Sequence, residues 1–523
     1  ADWLVGINAT RLFSVLYHRT LNVGRVMTPT LALIVQREAE IGAFRPEAFY
    51  AVNLRCGDFA AVSEKFKEKA EADALAAACT GQPVTVKAVQ RTEKTEKAPQ
   101  LYDLTALQRE ANRSLGYTAQ QTLDYLQALY EKKLCTYPRT DSRFLTDDLE
   151  ASVPELVAVA AAICETTAPE GVTARQVCDS RKVSDHHAIL PTASAGKADT
   201  SVLPLGEREI LRLVSGQLLR AVSDAHRYTE TAVTLECGGA VFTVKGRTTL
   251  TPGWKQYLAQ EKQDAALPEL SEGQVLDCTE AAVKEGKTTP PKHFTEDTLL
   301  SAMENAGKDD IPDEAERKGL GTPATRAAII EKLVAAGFVE RKGKSLIPTK
   351  AGINLVTVLP EPLTSPMLTA EWEQKLTEIA KGGADPDTFM DGIRMMVQEI
   401  VSTYSCISED GKKLFALEKE VVGTCPRCGQ PVYEGKKNFA CSDRSCGFVL
   451  WKNDRFWTSR KKELTKKMAA DLLKKGRTNV KGMWSEKKGS TYDAAVILDD
   501  TGGKYINFKL EFPKRKEGVN GRK

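Results

Sequence analysis

With 523 residues the chain has room for about three or four domains of roughly 150 residues each, and 42% hydrophobic content suffices for ordinary cores, which points to a soluble, folded class. No apolar run approaches the ~18 residues that cross a bilayer, and the start ADWLVGINATR has neither a basic n-region nor a cleavage-type apolar stretch, so neither a membrane span nor an export signal is read. The formal charge of +3 divides unevenly: residues 452–523 hold 20 Lys/Arg against 9 Asp/Glu, or +11, leaving −8 elsewhere, so the tail is a candidate polyanion contact, a merely charged terminal domain being the even alternative.

In chain order, helical patterns come first. In GRVMTPTLALIVQREAEI, Thr28 reads as an N-cap, Pro29 as the first helical residue, and Leu31, Ile34 and Val35 as an apolar stripe. Residues 46–96 alternate like strands, as in FYAVNL and PVTVKAVQ, and that texture returns in TAVTLEC and AVFTVKG, so 46–96 and 227–290 are expected to share one β-rich domain. The insert 97–226 is helical, with a turn at Gly116 and a capping box from Thr118 and Gln121; such a helix-turn-helix is compatible with DNA binding, though helical hairpins are common. Residues 291–410 return to helices around a Lys342-Gly343-Lys344 hairpin, a winged-helix pattern. A cysteine-bearing segment, 411–455, and a basic terminal unit, 456–523, complete the chain, without repeats or low-complexity runs.

Eight cysteines are scattered without pairing spacing, which fits a reducing compartment. Cys425, Cys428, Cys441 and Cys446 differ: they read C-x2-C-x12-C-x4-C, a spacing that suits a closed, structural zinc site. TYPRTDS, residues 136–142, places Tyr137 two residues from Arg139 in a stretch that Pro138 keeps out of helix. A phenol ionises near pH 10, so a tyrosine attacking phosphate needs such a cation or a base nearby, and in an extended segment 137 and 139 point to the same side. From composition alone an ordinary turn tyrosine is the commoner case. SDHHAILPT sets His186 and His187 side by side, able to bind phosphate or move a proton; an ordinary loop is the bland reading. A glycine followed by Thr-Pro opens a helix twice, at Gly24–Pro29 and Gly319–Pro323, where free N–H groups with Arg25 or Arg326 alongside could hold phosphate, although single helix caps are usually structural.

Taken together and in order, DWLVGINATR, GRVMTPTLALI, LCTYPRTDSR, SDHHAILPT, the stretch from MENAGK to GLGTPATRAAIIEKL, and the zinc segment resemble type IA DNA topoisomerases, topoisomerase III among them, over nearly the whole chain. The resemblance implies a multidomain α+β toroid with winged-helix-like domains and a β-rich arch, followed by a zinc ribbon and a small basic α/β module. Base-domain parts fall at 1–45 and 291–410, arch parts at 46–96 and 227–290, the catalytic tyrosine domain at 97–226, the ribbon at 411–455 and a DNA-binding module at 456–523. It implies that Tyr137 cuts one strand of single-stranded DNA through a 5′-phosphotyrosine, passes a strand and religates without ATP. Arg139 would neutralise the scissile phosphate and His186 contact the phosphate or sugar. Arg11, Arg25, Thr28, Thr140, Ser142, Thr322 and Arg326 are the expected DNA contacts, with Trp451, Phe456 and Trp457 as stacking candidates in the tail, a core role for at least two of these rings being as good a reading.

Two departures stand out. Met27 replaces the glutamine usual in the GRVQTP motif, so one DNA hydrogen bond is expected to be missing. The family also places a Toprim domain before DWLVG, with a catalytic glutamate, a lysine and Asp-x-Asp magnesium ligands. The Asp-Asp pairs at 147, 309 and 499 are not expected to replace it, so this chain is expected to bind DNA and cleave poorly. The alternative is an inactive single-stranded-DNA clamp; a conjugative relaxase lacks its His-apolar-His signature here. The expected setting is cytoplasmic and nucleoid-associated, monomeric, with zinc bound, magnesium required by the family, no membrane partner, and a helicase as candidate partner.

Overall fold

The computed structural model describes residues 1–258, 266–307, 319–404, 406, 414–415, 421–503 and 505–512. Contacts divide the chain into two units, Ala1–Phe415 and Ala416–Lys523.

The first unit begins with α1 (Asp2–Leu16) and α2 (Met27–Ala43). The second starts earlier than its sequence suggests. Thr28 lies inside the first turn, and its hydroxyl accepts the Gly24 N–H at 3.0 Å while the Thr28 N–H donates to Gly24 O at 2.9 Å, with no side-chain cap at Val26. Alternating strands follow: β1 (Ala48–Cys56), β2 (Phe59–Ser63), α3 (Lys69–Cys79) and β3 (Pro83–Glu96), and, after a long excursion, β4 (His226–Cys237), β5 (Ala240–Thr251), β6 (Val275–Asp277) and β7 (Glu280–Lys287). They form one antiparallel sheet of seven strands in the order β6-β3-β4-β5-β2-β1-β7. Its two edges are consecutive in sequence, separated only by Cys278 and Thr279. A flat sheet of this size would hold its edges ~29 Å apart at the usual strand spacing, whereas two linking residues span a fraction of that, so the sheet must curl until its edges approach. Val52, Leu54, Val84, Val86, Val233, Leu235 and Phe242 fill the interior, closed by Ala72, Ala76 and Cys79 of α3. Curling gives these aliphatic and aromatic residues a common inside, each buried large side chain contributing ~1.5–3 kcal/mol.

The excursion from β3 to β4 carries α4 (Leu104–Ser114), α5 (Ala119–Glu131), α6 (Val153–Ile163) and α7 (Leu205–Ala221). Asp103 caps α4, and the Thr118/Gln121 capping box starts α5. Two cores of their own hold this segment, one around Leu107, Leu126 and Ile210, the other around Val157, Leu190 and Leu218.

Then come α8 (Glu296–Asn305), α9 (Pro323–Ala335), the hairpin β8 (Val339–Lys342) and β9 (Ser345–Pro348), α10 (Lys350–Val358), α11 (Glu361–Thr364), α12 (Met367–Ala380) and α13 (Pro386–Thr403). These share a core with α1 and α2, centred on Phe13, Leu31, Leu299, Leu333 and Leu355. The GLGTP turn before α9 rests on the end of α8: Leu320 N–H donates to Met303 O at 2.7 Å, and a Cβ on Gly319 (φ +60°) would come within 2.2 Å of that carbonyl oxygen, so only glycine fits.

In the second unit, β10 (Val421–Thr424), β11 (Pro431–Glu434), β12 (Asn438–Cys441) and β13 (Val449–Trp451) form a four-stranded sheet. After α14 (Arg455–Thr458) and α15 (Lys466–Lys475), β14 (Arg477–Ser485), β15 (Ser490–Asp499) and β16 (Asn507–Glu511) form a three-stranded one. The segments separated at residue 455 in the sequence share one core here, Val432, Phe439, Phe448 and Leu450 packing with Trp457, Leu472, Met483 and Val496. The beginning of the 411–455 segment and the end of the 456–523 segment lie partly outside the described residues. No described helix is long and apolar enough to cross a membrane.

Candidate active site and metal centre

Pro138 keeps the TYPRTDS stretch extended, and it lies alongside His186–Thr192. Thr136 N–H donates to Leu190 O at 3.0 Å, Leu190 N–H to Thr136 Oγ1 at 2.9 Å, Thr192 N–H to Leu134 O at 3.0 Å, and Thr140 Oγ1 to His186 O at 2.9 Å. Two segments half a hundred residues apart are thereby held in one register, which brings Tyr137 against His186. Their ring centroids are 4.2 Å apart at 37°, and on the other side Tyr130 of α5 meets Tyr137 edge-on at 5.5 Å and 84°. Tyr137 is half-buried while His186 is exposed. His187 turns its Nδ1 to Ala188 O, 2.8 Å away. Arg139 is exposed, and its Nη1 donates to Gln127 Oε1 at 2.9 Å. Gln127 Nε2 donates in turn to Glu131 Oε1 at 2.9 Å. One face of α5, residues 127, 130 and 131, thus supports the tyrosine and its arginine; nothing in the TYPRTDS stretch itself announces it, and only the i, i+3, i+4 spacing on a helix ending just before the motif could have.

The rest of the motif turns inward. Thr140 and Ser142 are 2% and 5% exposed, and the Ser142 hydroxyl donates to Lys182 O at 2.9 Å. Arg143 Nε donates to Asp103 Oδ2 at 2.6 Å, while Asp103 Oδ1 accepts the Ala106 N–H that caps α4. Burial pushes the Asp103 carboxyl above its ordinary range, and the Arg143 guanidinium pulls it part of the way back. Burial likewise pushes the Cys135 thiol well up, so this neighbour of Tyr137 stays protonated.

Helix α8 lies against this segment. Glu296 Oε2 accepts the Ala119 N–H of α5 at 2.6 Å, Glu296 Oε1 takes Arg341 Nε at 2.9 Å, Asn112 Oδ1 accepts the Asp297 N–H at 3.1 Å, and Arg109 Nε reaches Asp297 Oδ1 at 2.9 Å. Burial raises the Glu296 carboxyl, offset in part by the Ala119 amide and Arg341.

The remaining expected DNA contacts sit apart from the tyrosine, several with their donors engaged. Arg11 is exposed on α1. Arg25 is held by Asp2, by Glu373 at 3.1 Å and over the Trp372 ring, its side chain only 8% exposed. Thr28 is buried and spends its hydroxyl on Gly24, so that N–H is occupied. Thr322 and Thr325 form a capping box, which occupies the Thr322 N–H. Arg326 is 2% exposed and donates to Leu320 O, Gly321 O and Thr105 Oγ1 at 3.0–3.2 Å. Of the paired aspartates, Asp147 meets Arg175, Asp499 meets Lys509, and Asp500 binds Arg427 through both oxygens at 2.6 and 2.7 Å; the pair at 309 lies outside the described residues.

In the second unit the Sγ atoms of Cys425, Cys428, Cys441 and Cys446 lie within 4.8 Å of one another, and among the described residues this is the one group of three or more such ligands. A tetrahedral Zn–S₄ site with bonds near 2.3 Å has sulfurs about 3.8 Å apart, so the approaches Cys425–Cys446 at 3.6 Å and Cys428–Cys441 at 3.4 Å fit four ligands of one ion. Gly429 (φ +77°) makes the knuckle turn, its N–H donating to Cys425 O at 2.9 Å. Of the stacking candidates Trp451 is 44% exposed, Trp457 is fully buried, and Phe456 packs between Trp457, Phe508 and the Arg460 guanidinium.

The chain is similar to known proteins over most of its length. The family profile described as DNA topoisomerase matches residues 1–391, and one described as C-terminal repeat of topoisomerase matches residues 445–513. DNA topoisomerase 3 of Bacillus licheniformis is 37% identical over 480 residues, and that of Bacillus subtilis 37% over 481; each alignment covers 86% of this chain and 65% of the relative. The chain therefore spans about two-thirds, 65%, of the length of these relatives. The structure of full-length topoisomerase I from Thermotoga maritima superposes with a TM-score of 0.61 at 23% identity, over 86% of this chain and 74% of that one, a likeness of fold.

Proposed function

Because the chain belongs to the DNA topoisomerase family, matched over residues 1–391, we propose that it works on single-stranded DNA as a type IA, topoisomerase III-like enzyme with Tyr137 as nucleophile. The Tyr137 oxygen attacks a backbone phosphorus and the 3′-oxygen leaves with a proton, giving a 5′-phosphotyrosine. The reverse attack by that 3′-hydroxyl after strand passage restores both bonds, so no ATP is consumed. Arg139 supplies positive charge two residues away, and His186 faces the same ring as a contact for the phosphate or sugar. The observation that carries this reading is the fixing of Tyr137 between Tyr130 and His186, at 5.5 and 4.2 Å, with a cation on the same extended segment. We assign zinc to the four cysteines as a structural ion, on their closed donor set.

Magnesium would offset phosphate charge in such a reaction. Among the described residues the one group of three or more His, Cys, Asp or Glu side chains placed to hold an ion is the four-cysteine set. Mixing labelled single-stranded DNA with the chain and magnesium, with and without a Toprim domain supplied in trans, should give a covalent adduct on a denaturing gel, strongest with the added domain and abolished by Tyr137→Phe. An adduct that survives Tyr137→Phe would overturn the assignment of the nucleophile. Binding without adduct in either arm would leave only the clamp.

A further inference from the structure

Glu304, near the end of α8, is bonded differently from its neighbours on that helix. Its oxygens stand 3.4 Å from Arg143 Nη2 and 3.9 Å from Arg109 Nη1, so one carboxylate is shared by two guanidiniums at long range. All three side chains are about a third exposed, at 30% for Glu304 and 33% for each arginine. The arginines, by contrast, are firmly aimed: Arg143 Nε is fixed by Asp103 at 2.6 Å and Arg109 Nε by Asp297 at 2.9 Å. Both forks therefore present their outer nitrogens to a single anion position. Arg143 lies six residues beyond Tyr137 on the same segment.

A phosphodiester, like a carboxylate, offers two anionic oxygens on one centre, and guanidinium forks match either. We propose that Arg109 and Arg143 form a phosphate site for DNA, and that Glu304 fills it as an internal phosphate surrogate when DNA is absent. The inference rests on the reading that the chain binds single-stranded DNA. Displacement is favoured because Glu304 pairs at 3.4–3.9 Å and is 30% exposed, while the short bonds to Asp103 and Asp297 keep the arginines in place for the incoming phosphate.

The test is fluorescence anisotropy of the 523-residue chain with a labelled oligothymidylate across a salt series. Glu304→Gln should bind about three- to tenfold more tightly than wild type, because the phosphate no longer has to displace a carboxylate. Glu304→Gln combined with Arg109→Gln should lose that gain, and Glu378→Gln, on α12, should show none. Arg109→Gln alone should weaken binding, a readout that does not depend on the Glu304 variant. A Glu304→Gln protein that binds as wild type, or whose gain survives Arg109→Gln or is matched by Glu378→Gln, would overturn the surrogate role. Wild-type protein that fails to bind the oligonucleotide even at low salt would instead overturn the proposed function on which it rests.

Discussion

Tyr137 is held by rings on two other segments, whereas Arg139 is tethered by a single neutral hydrogen bond to Gln127. The proposed nucleophile is thus preorganised, and the cation proposed for the phosphate can exchange an amide oxygen for a phosphate oxygen, the division of labour that phosphoryl transfer asks for. Arg326 is the opposite case. Its bonds to Leu320 O, Gly321 O and Thr105 Oγ1, at 3.0–3.2 Å, tie the GLGTP turn to α4. Arg326→Ala should leave those acceptors unpaired and cost about 2–3 kcal/mol in a denaturant melt, with little change in DNA affinity per folded molecule. A large loss of affinity at unchanged stability would show that Arg326 reaches the DNA. The TYPRTDS and SDHHAILPT stretches could be picked out in the sequence because they crowd rare polar chemistry beside proline. Their mutual register could not, because it depends on bonds between residues some fifty positions apart, such as Thr140 with His186. Arg25 and Arg326 read as candidate phosphate contacts because a sequence shows an arginine at a helix start; it does not show the carboxylates and carbonyls that accept their N–H groups here.

At the scale of elements, α5 shows how local and distant signals combine. Its capping box follows from Thr118 and Gln121, but its first N–H, at Ala119, is satisfied by Glu296 from far along the chain. In the second unit the aromatic pattern WKNDRFW was ambiguous in sequence between stacking surface and core. The structure divides it, burying Trp457 completely under Phe456 and Phe508 while leaving Trp451 partly exposed. Trp457→Ala should therefore cost ~3–5 kcal/mol, read as a fall in the melting temperature of this unit. A loss below 1 kcal/mol would mean that the ring cluster is not the core of the unit. The curling of the seven-stranded sheet was outside the reach of local pattern: alternation marks strands, not their order, and the decisive fact is which two strands form the edges.

For the whole molecule, the cysteine centre and the terminal strands stand or fall together. One core runs from Val432 and Phe439 to Met483 and Val496, and Arg427, inside the first cysteine knuckle, binds Asp500 beyond β15. Removing the proposed zinc with a strong chelator should then expose residues 421–512 as a block to trypsin while cleavage within Ala1–Phe415 is unchanged. Digestion confined to the knuckle would show that the terminal strands fold without it. The sequence boundary at 455 could not convey this, since zinc spacing and a basic composition are separate signals and shared burial leaves neither.

The order of strands in the large sheet also sets a timetable for synthesis. β1, Ala48–Cys56, pairs along nearly its whole length with β7, Glu280–Lys287. At about 5–20 residues per second the ribosome needs tens of seconds to reach that partner. During that interval the helical segment that carries Tyr137 is complete enough to fold on its own cores, while β1 waits with a bare backbone edge. Such an edge is a template for wrong pairing. A nascent chain halted before residue 280 should thus be the form of this protein that a holdase protects, and the one that aggregates without it.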